Sequence, residues 1–149
     1  MTTVAANKTS IACDLQFTKG NLKLKGVTKV LEINGDICKE MFNCSEALMG
    51  FSGNADIWGE VVSWFYDPEE KSPKCRGIEF LLLTNTKKLY HGTNLRNWML
   101  LPEKHFAIGS GCDFAMAAMT AGKTPLEAVK IAGKHDANTG LGYKEYSFE

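Results

Sequence analysis

The chain begins MTTVA, which sets Thr2 and Thr3 directly behind the initiator methionine. A threonine hydroxyl becomes a nucleophile when its own α-amine takes its proton, since that amine has an ordinary pKa of about 7.7 to 8.0. This chemistry requires threonine to be the first residue, so Met1 must be removed; a small second residue such as Thr2 generally permits that. No HExxH, P-loop or GxSxG pattern offers another route. His91, His105 and His135 are scattered without ligand spacing, as expected of surface or core histidines. Cys13, Cys38, Cys44, Cys75 and Cys112 are odd in number and form no CxxC, which points to reduced, mostly buried thiols and away from a disulfide framework or zinc cage. Cys112 beside a predicted helix start is a second candidate nucleophile, with a depressed pKa, but no base can be placed beside it.

The elements that must position these residues alternate between two periods. TTVAA and SIAC around an NK turn, GVTKVLEI, and EALMGFSG read as strands, and the NGD after GVTKVLEI reads as a tight hairpin turn followed by a brief ICK strand. From Asn54 the apolar residues Ile57, Val61, Trp64 and Phe65 fall on one helical face until Pro68. DPEEKSPK is a solvated charged loop. IEFLLLT and KKLYHG form a second hairpin through NT, and HFAIG is a strand buried on both faces. Ser110 starts a helix through Ala121, capped by the Ser110 hydroxyl with Asp113 three residues on and stopped by Gly122. Thr124, Pro125 and Glu127 start a second helix, PLEAVKIAGKHD, and YKEYSF is a last strand. Strands, a helix, strands, two helices and a strand argue for an α+β layered domain over residues 1–149, with helices covering antiparallel sheets.

Several segments in series resemble the proteasome β-subunit and HslV threonine peptidases, members of the N-terminal nucleophile (Ntn) hydrolases. They are MTTVA with Asp14, KGVTKV with Lys29, GFSGNAD, AIGSGCDFA with Ser110, and GKHDANTG with Asp136 and Thr139. The layout is similar to the shortened proteasome-like proteins of some tailed bacteriophages. The resemblance implies a four-layer αββα sandwich reduced in one helical layer, because DPEEKSPK runs almost directly into IEFLLLT where the family adds a long helix. It makes Lys29 the catalytic lysine, Asp14 its ion-pair partner, and Ser110, Asp136 and Thr139 the groups around the α-amine. The oxyanion donor is the backbone N–H of Gly53, with Gly50 as an alternative. Matching TVA to the family's start puts Met1 in the nucleophile's place, whereas counting from the first threonine puts Thr2 there. No cofactor is required by this chemistry; the HDANTG turn is a place where the family can bind a monovalent or divalent cation through backbone carbonyls.

Seventeen basic and seventeen acidic residues give no net charge, hence no electrostatic footprint for nucleic acid or an anionic membrane. No apolar run reaches the roughly 20 residues of a membrane span, and the start lacks a secretory layout, so a cytoplasmic protein is expected. The function expected is a threonine-dependent amidohydrolase, a peptidase acting on peptides or unfolded protein within a homo-oligomer such as a ring; an ATPase partner is not readable. Two alternatives stand beside it: a catalytically inactive scaffold or assembly protein that retains Met1, and a non-chambered relative that hydrolyses a small amide.

Overall fold

The computed structural model describes residues 2–19, 22–68 and 71–148. Met1, and with it the question of its removal, lies outside them. Fifteen elements follow one another: β1 (Thr3–Asn7), β2 (Ser10–Asp14), β3 (Gln16–Lys19), β4 (Leu22–Lys25), β5 (Val30–Asn34), α1 (Asp36–Phe42), β6 (Glu46–Gly53), α2 (Ala55–Tyr66), β7 (Ile78–Thr84), β8 (Leu89–Gly92), β9 (Trp98–Leu101), β10 (His105–Gly109), α3 (Cys112–Thr120), α4 (Pro125–His135) and β11 (Tyr143–Ser147). They build a four-stranded sheet ordered β10-β1-β2-β11, a five-stranded sheet ordered β5-β6-β7-β8-β9, and a small β3-β4 ribbon. Every pairing is antiparallel.

Strand alternation divides the buried residues into three layers. Val4, Ile11 and Ile108 of one sheet meet Leu48, Leu81 and Leu83 of the other. The residues between them, Ala5, Ala12 and Ala107, face Ala115, Ala118, Ala128 and Ala132 of α3 and α4, and small side chains on both surfaces let those helices lie close. On the far side of the five-stranded sheet, Met49, Phe51, Phe80 and Leu82 are covered by Phe42 of α1 and Val61, Trp64 and Phe65 of α2. The result is helices, sheet, sheet, helices: the αββα sandwich that the resemblance implies.

Helix α2 begins where Asn54 accepts from the Asp56 N–H, and α4 begins with a full capping box between Thr124 and Glu127, with Pro125 in its first turn. Three expectations need correction. The NGD turn does not close a hairpin: Gly35, at φ 82°, leads into α1, whose Cys38 and Phe42 lie one turn apart and bury against the outer face of the sheet. Ser110 does not cap α3, for the N-cap is Gly111 and no side chain bonds there. GVTKVLEI is a strand only from Val30, because the chain first turns Lys29 inward. Sequence reading also passed over β3, β4 and β9. Each is only four residues long, at the lower limit at which the alternation LKLK or the apolar run WMLL can be read as a strand. Between α2 and β7 the described residues form no further helix. Fully buried Leu95, from the loop before β9, and Trp98, set edge-on to Phe42 at 5.1 Å, cover the sheet instead.

Candidate active site

Three chain segments end at one end of the sandwich, and each delivers one polar side chain. Thr2 precedes β1, Asp14 closes β2, and Lys29 precedes β5. All three are buried, with Lys29 only 1% exposed. The Thr2 hydroxyl donates to Asp14 Oδ1 and accepts from Lys29 Nζ. Lys29 Nζ also lies 2.9 Å from Asp14 Oδ1 and 2.5 Å from the Gln16 carbonyl, over the Phe17 ring at 4.8 Å. Backbone N–H groups of Thr3, Gly140 and Gln16 hold both oxygens of Asp14, at 3.1, 3.0 and 3.3 Å. Burial pulls the Lys29 ammonium below the ordinary lysine range, and the Asp14 carboxylate works against that shift. A buried ion pair is tolerated when its remaining lone pairs and protons are bonded, as they are here.

The second group lies on the backbone side of Thr2. The Ser110 hydroxyl, not needed by α3, donates to Asp136 Oδ2 at 2.5 Å and sits 3.4 Å from the Thr2 carbonyl oxygen. Thr139 donates to the same carboxylate oxygen at 2.6 Å. Its proton thus committed, Thr139 accepts from the Thr3 hydroxyl at 2.7 Å, giving a directed chain from Thr3 through Thr139 to Asp136. Burial alone would raise the Asp136 pKa, but the bonds from Ser110, Thr139 and the Asn138 N–H outweigh it and hold the carboxyl below its usual range. The glycines that flank Ser110 make this approach possible. A Cβ on Gly109 would stand 1.9 Å from the Thr2 oxygen, and one on Gly111 would stand 2.2 Å from Thr3 Oγ1.

Backbone parity sets the direction of the Gly53 N–H. The Phe51 N–H bonds the Lys29 carbonyl across the β5 side of β6. Successive N–H groups alternate, so Gly53 directs its N–H to that same side, one step beyond the end of β5, where no strand partner remains. Asn54, of opposite parity, bonds Gly77 on the β7 side. Gly50 lies within the ladder, opposite Val30 and Leu81, and its N–H is directed to β7.

No family model and no curated protein matches the chain, whereas solved structures do. A structure of the Thiobacillus denitrificans protein BPH in complex with epoxomicin matches at TM-score 0.64 and 16% identity, over 99% of this chain and 97% of that one. Eukaryotic HslV from Trypanosoma brucei matches at 0.65 and 17%, over 97% of each chain. A Gly-1 mutant of Anbu from Hyphomicrobium sp. strain MC1 matches at 0.75 and 11%, over 100% of this chain and 82% of that one. The fold is proteasome-like. At these identities the likeness is one of architecture, and the site rests on its own geometry.

Within this proteasome-like fold, six side chains expected from the sequence meet at one place: Thr2, Asp14, Lys29, Ser110, Asp136 and Thr139. Two contributors were missed. Thr3 adds a hydroxyl and an N–H, and its place as the second threonine of MTTVA was an available signal. Gln16 adds a carbonyl to Lys29, for which no side-chain signal exists. Cys112 is not an activated thiol, since burial and then Asp113 push its pKa up. In the HDANTG turn, the carbonyls of Asp136, Ala137 and Gly140 accept from Thr139 N, Gln16 Nε2 and Leu15 N. No helix among the described residues is long and apolar enough to cross a membrane.

Proposed function

We propose that the protein is a threonine-dependent amidohydrolase, a peptidase of the HslV and proteasome β type, acting through Thr2 once Met1 is removed. The observation that carries this reading is the Thr2 hydroxyl held between the Lys29 ammonium and the Asp14 carboxylate. The freed α-amine of Thr2 takes the hydroxyl proton while Oγ attacks the amide carbon, and the carbonyl oxygen gains charge beside the Gly53 N–H. Lys29 favours the alkoxide and lowers the amine pKa. The C–N bond then breaks as the amine returns the proton to the departing nitrogen, leaving an ester on Thr2. Water, deprotonated by the same amine, adds to the ester and releases the acid, which restores the hydroxyl. Ser110 and Asp136, bonded to each other beside the Thr2 carbonyl, orient the end of the chain that carries this base.

Because a BPH structure contains epoxomicin, that epoxyketone is the probe of choice. Mass spectrometry is expected to show one adduct per chain, absent in Thr2→Ala; unchanged labelling of Thr2→Ala overturns the assignment. A second reading has an observation of its own, for Asp14 fastens three backbone N–H groups and Asp136 terminates α4, duties that a scaffold would need as well. Intact mass separates the two, because a chain that keeps Met1 has no free threonine amine. A Pseudomonas aeruginosa Anbu structure, with TM-score 0.71 at 9% identity, is described as a helical assembly. This supports a homo-oligomer here, to be checked by native mass spectrometry; a monomer removes the chamber and leaves the small-amide reading.

A further inference from the structure

Cavities open on both sides of Gly53. One of about 860 Å³ is walled by the β3-β4 ribbon, including Phe17 and Leu24, and by the start of α2. The other, of about 530 Å³, runs from Gly53 and Ser52 past Glu79 and Thr93 to Ser110. Gly53 and Gly77 line both, so the two cavities adjoin at the proposed oxyanion donor.

Resting on the threonine-hydrolase reading, the assignment of sides follows from the proton. The Thr2 α-amine must deliver it to the departing nitrogen, so the leaving amine exits on the main-chain side of Thr2, where Ser110 Oγ lies 3.4 Å from the Thr2 carbonyl oxygen, and Ser110 lines only the second of these two cavities. The first cavity, which borders Lys29 through Phe17, then holds the acyl side. The amine-side cavity contains a feature that packing does not require. Glu79 shares its strand face with Leu81 and Leu83, which bury between the sheets, yet it is a carboxylate, 45% exposed by side chain and bonded to His91 Nε2 at 2.9 Å. Its strand partner is Ser52. Ser52 Oγ lies 3.0 Å from where a Gly109 Cβ would stand, itself 1.9 Å from the Thr2 carbonyl oxygen. Glu79 is therefore linked to the reacting residue through Ser52 of β6 and Gly109 of β10, with one oxygen bonded by His91. Among the described residues no lysine or arginine lines this cavity, and the fields of Asp113 and Glu79 both add to the upward shift that burial gives Cys112 nearby.

We infer that Glu79 is a specificity residue for the leaving group: this cavity takes the residue on the amine side of the scissile bond and prefers a cationic one, lysine or arginine. His91 is the positioning residue that holds the carboxylate toward it. The test uses the full chain and blocked octapeptides that differ only at the first amine-side residue, with cleavage followed by mass spectrometry. The wild type is expected to cut before lysine at least tenfold faster than before aspartate. The ratio is expected to fall to within about threefold in Glu79→Gln and to invert in Glu79→Lys, whereas Glu79→Asp keeps a preference for lysine; melting temperatures of all three verify folding. Equal cleavage in the wild type, or a lysine preference that survives Glu79→Gln, overturns the inference. Turnover of a coumarin amide, which has no amine-side residue, reports separately whether wild-type hydrolysis occurs at all. If it does not, the hydrolase reading fails. The cavity is then judged by fluorescence anisotropy with the same peptides on Thr2→Ala, where absence of a lysine-over-aspartate preference overturns the inference.

Discussion

Lys29 supplies the positive charge of the site. It is a buried cation that touches the proposed nucleophile, its acid partner and a backbone carbonyl. Lys29→Ala removes the charge and leaves Asp14 buried without its counter-ion; breaking such a pair costs about 3–5 kcal/mol. Lys29→Met, of similar length, is the better test, and we expect epoxomicin labelling to slow by at least about a hundredfold, in keeping with electrostatic contributions of this kind. The rate should also depend on pH in two limbs. It rises as the Thr2 amine deprotonates, with a midpoint below about 7.7 because Lys29 is adjacent. It falls again as Lys29 loses its proton, at a lower pH than an exposed lysine would, since burial has lowered its pKa. A labelling rate flat from pH 6 to 10 would contradict both assignments. Asp136 gives a stability counterpart. Its folded pKa is depressed, so its contribution is complete above the unfolded value of about 3.9 and is lost as pH falls through the folded one. Thermal melts between pH 6 and 2.5 should therefore drop less in Asp136→Asn than in the wild type. These ionisable residues were legible because each is a named side chain in a recurring context, whereas the Gln16 carbonyl and the Gly53 N–H belong to groups every residue has; only the path of the backbone distinguishes them.

The two C-terminal helices show how far local chemistry reads at the level of an element. Thr124, Pro125 and Glu127 agree on one start, and all three take their expected roles. Ser110 and Asp113 have the same spacing as a capping box, but the Ser110 hydroxyl turns to Asp136, 26 residues away in sequence. A spacing rule cannot register that competitor, because it arrives through tertiary structure. The two serine-type positions should therefore separate experimentally. Thr124→Ala is expected to cost about 1 kcal/mol of stability, a fall in melting temperature of roughly 2–4 °C, with labelling by epoxomicin unchanged. Ser110→Ala should slow labelling more than it lowers the melting temperature, since α3 loses no cap. The reverse pattern would show that the hydroxyl serves the helix. The NG dipeptide fails for a related reason: its turn chemistry is real, with Gly35 at positive φ, but burial of Cys38 and Phe42 makes seven residues of helix the better continuation.

At the scale of the whole molecule, the layer between the sheets decides where Thr2 stands. Strand β1 leads directly from Thr2 into that layer through Val4, and Lys29 enters it beside Val30, so the spacing of the sheets sets the distance between hydroxyl and ammonium. Gly50 lies against the facing sheet. A Cβ there would meet Val4 Cγ1 at 2.5 Å and Ile11 Cδ1 at 3.3 Å, and both neighbours are fully buried. The order of strands and helices made an α+β layered domain legible and the resemblance implied the sandwich, but nothing in EALMGFSG marks its first glycine as a contact between the layers. Gly50→Ala should therefore overpack the interior at a cost of about 1–3 kcal/mol. It should also slow epoxomicin labelling at Thr2, although Gly50 touches no proposed catalytic group. Val4→Ala removes the obstructing methyls and by itself leaves a cavity. The double variant should recover melting temperature and labelling rate beyond the sum of the single effects, since contacting positions couple by about 0.5–3 kcal/mol. Additive losses would mean that the sheets yield elsewhere and that Thr2 is positioned by its own hydrogen bonds alone. Recovery of both quantities together would tie the geometry of the Thr2–Lys29–Asp14 cluster to the thickness of the core.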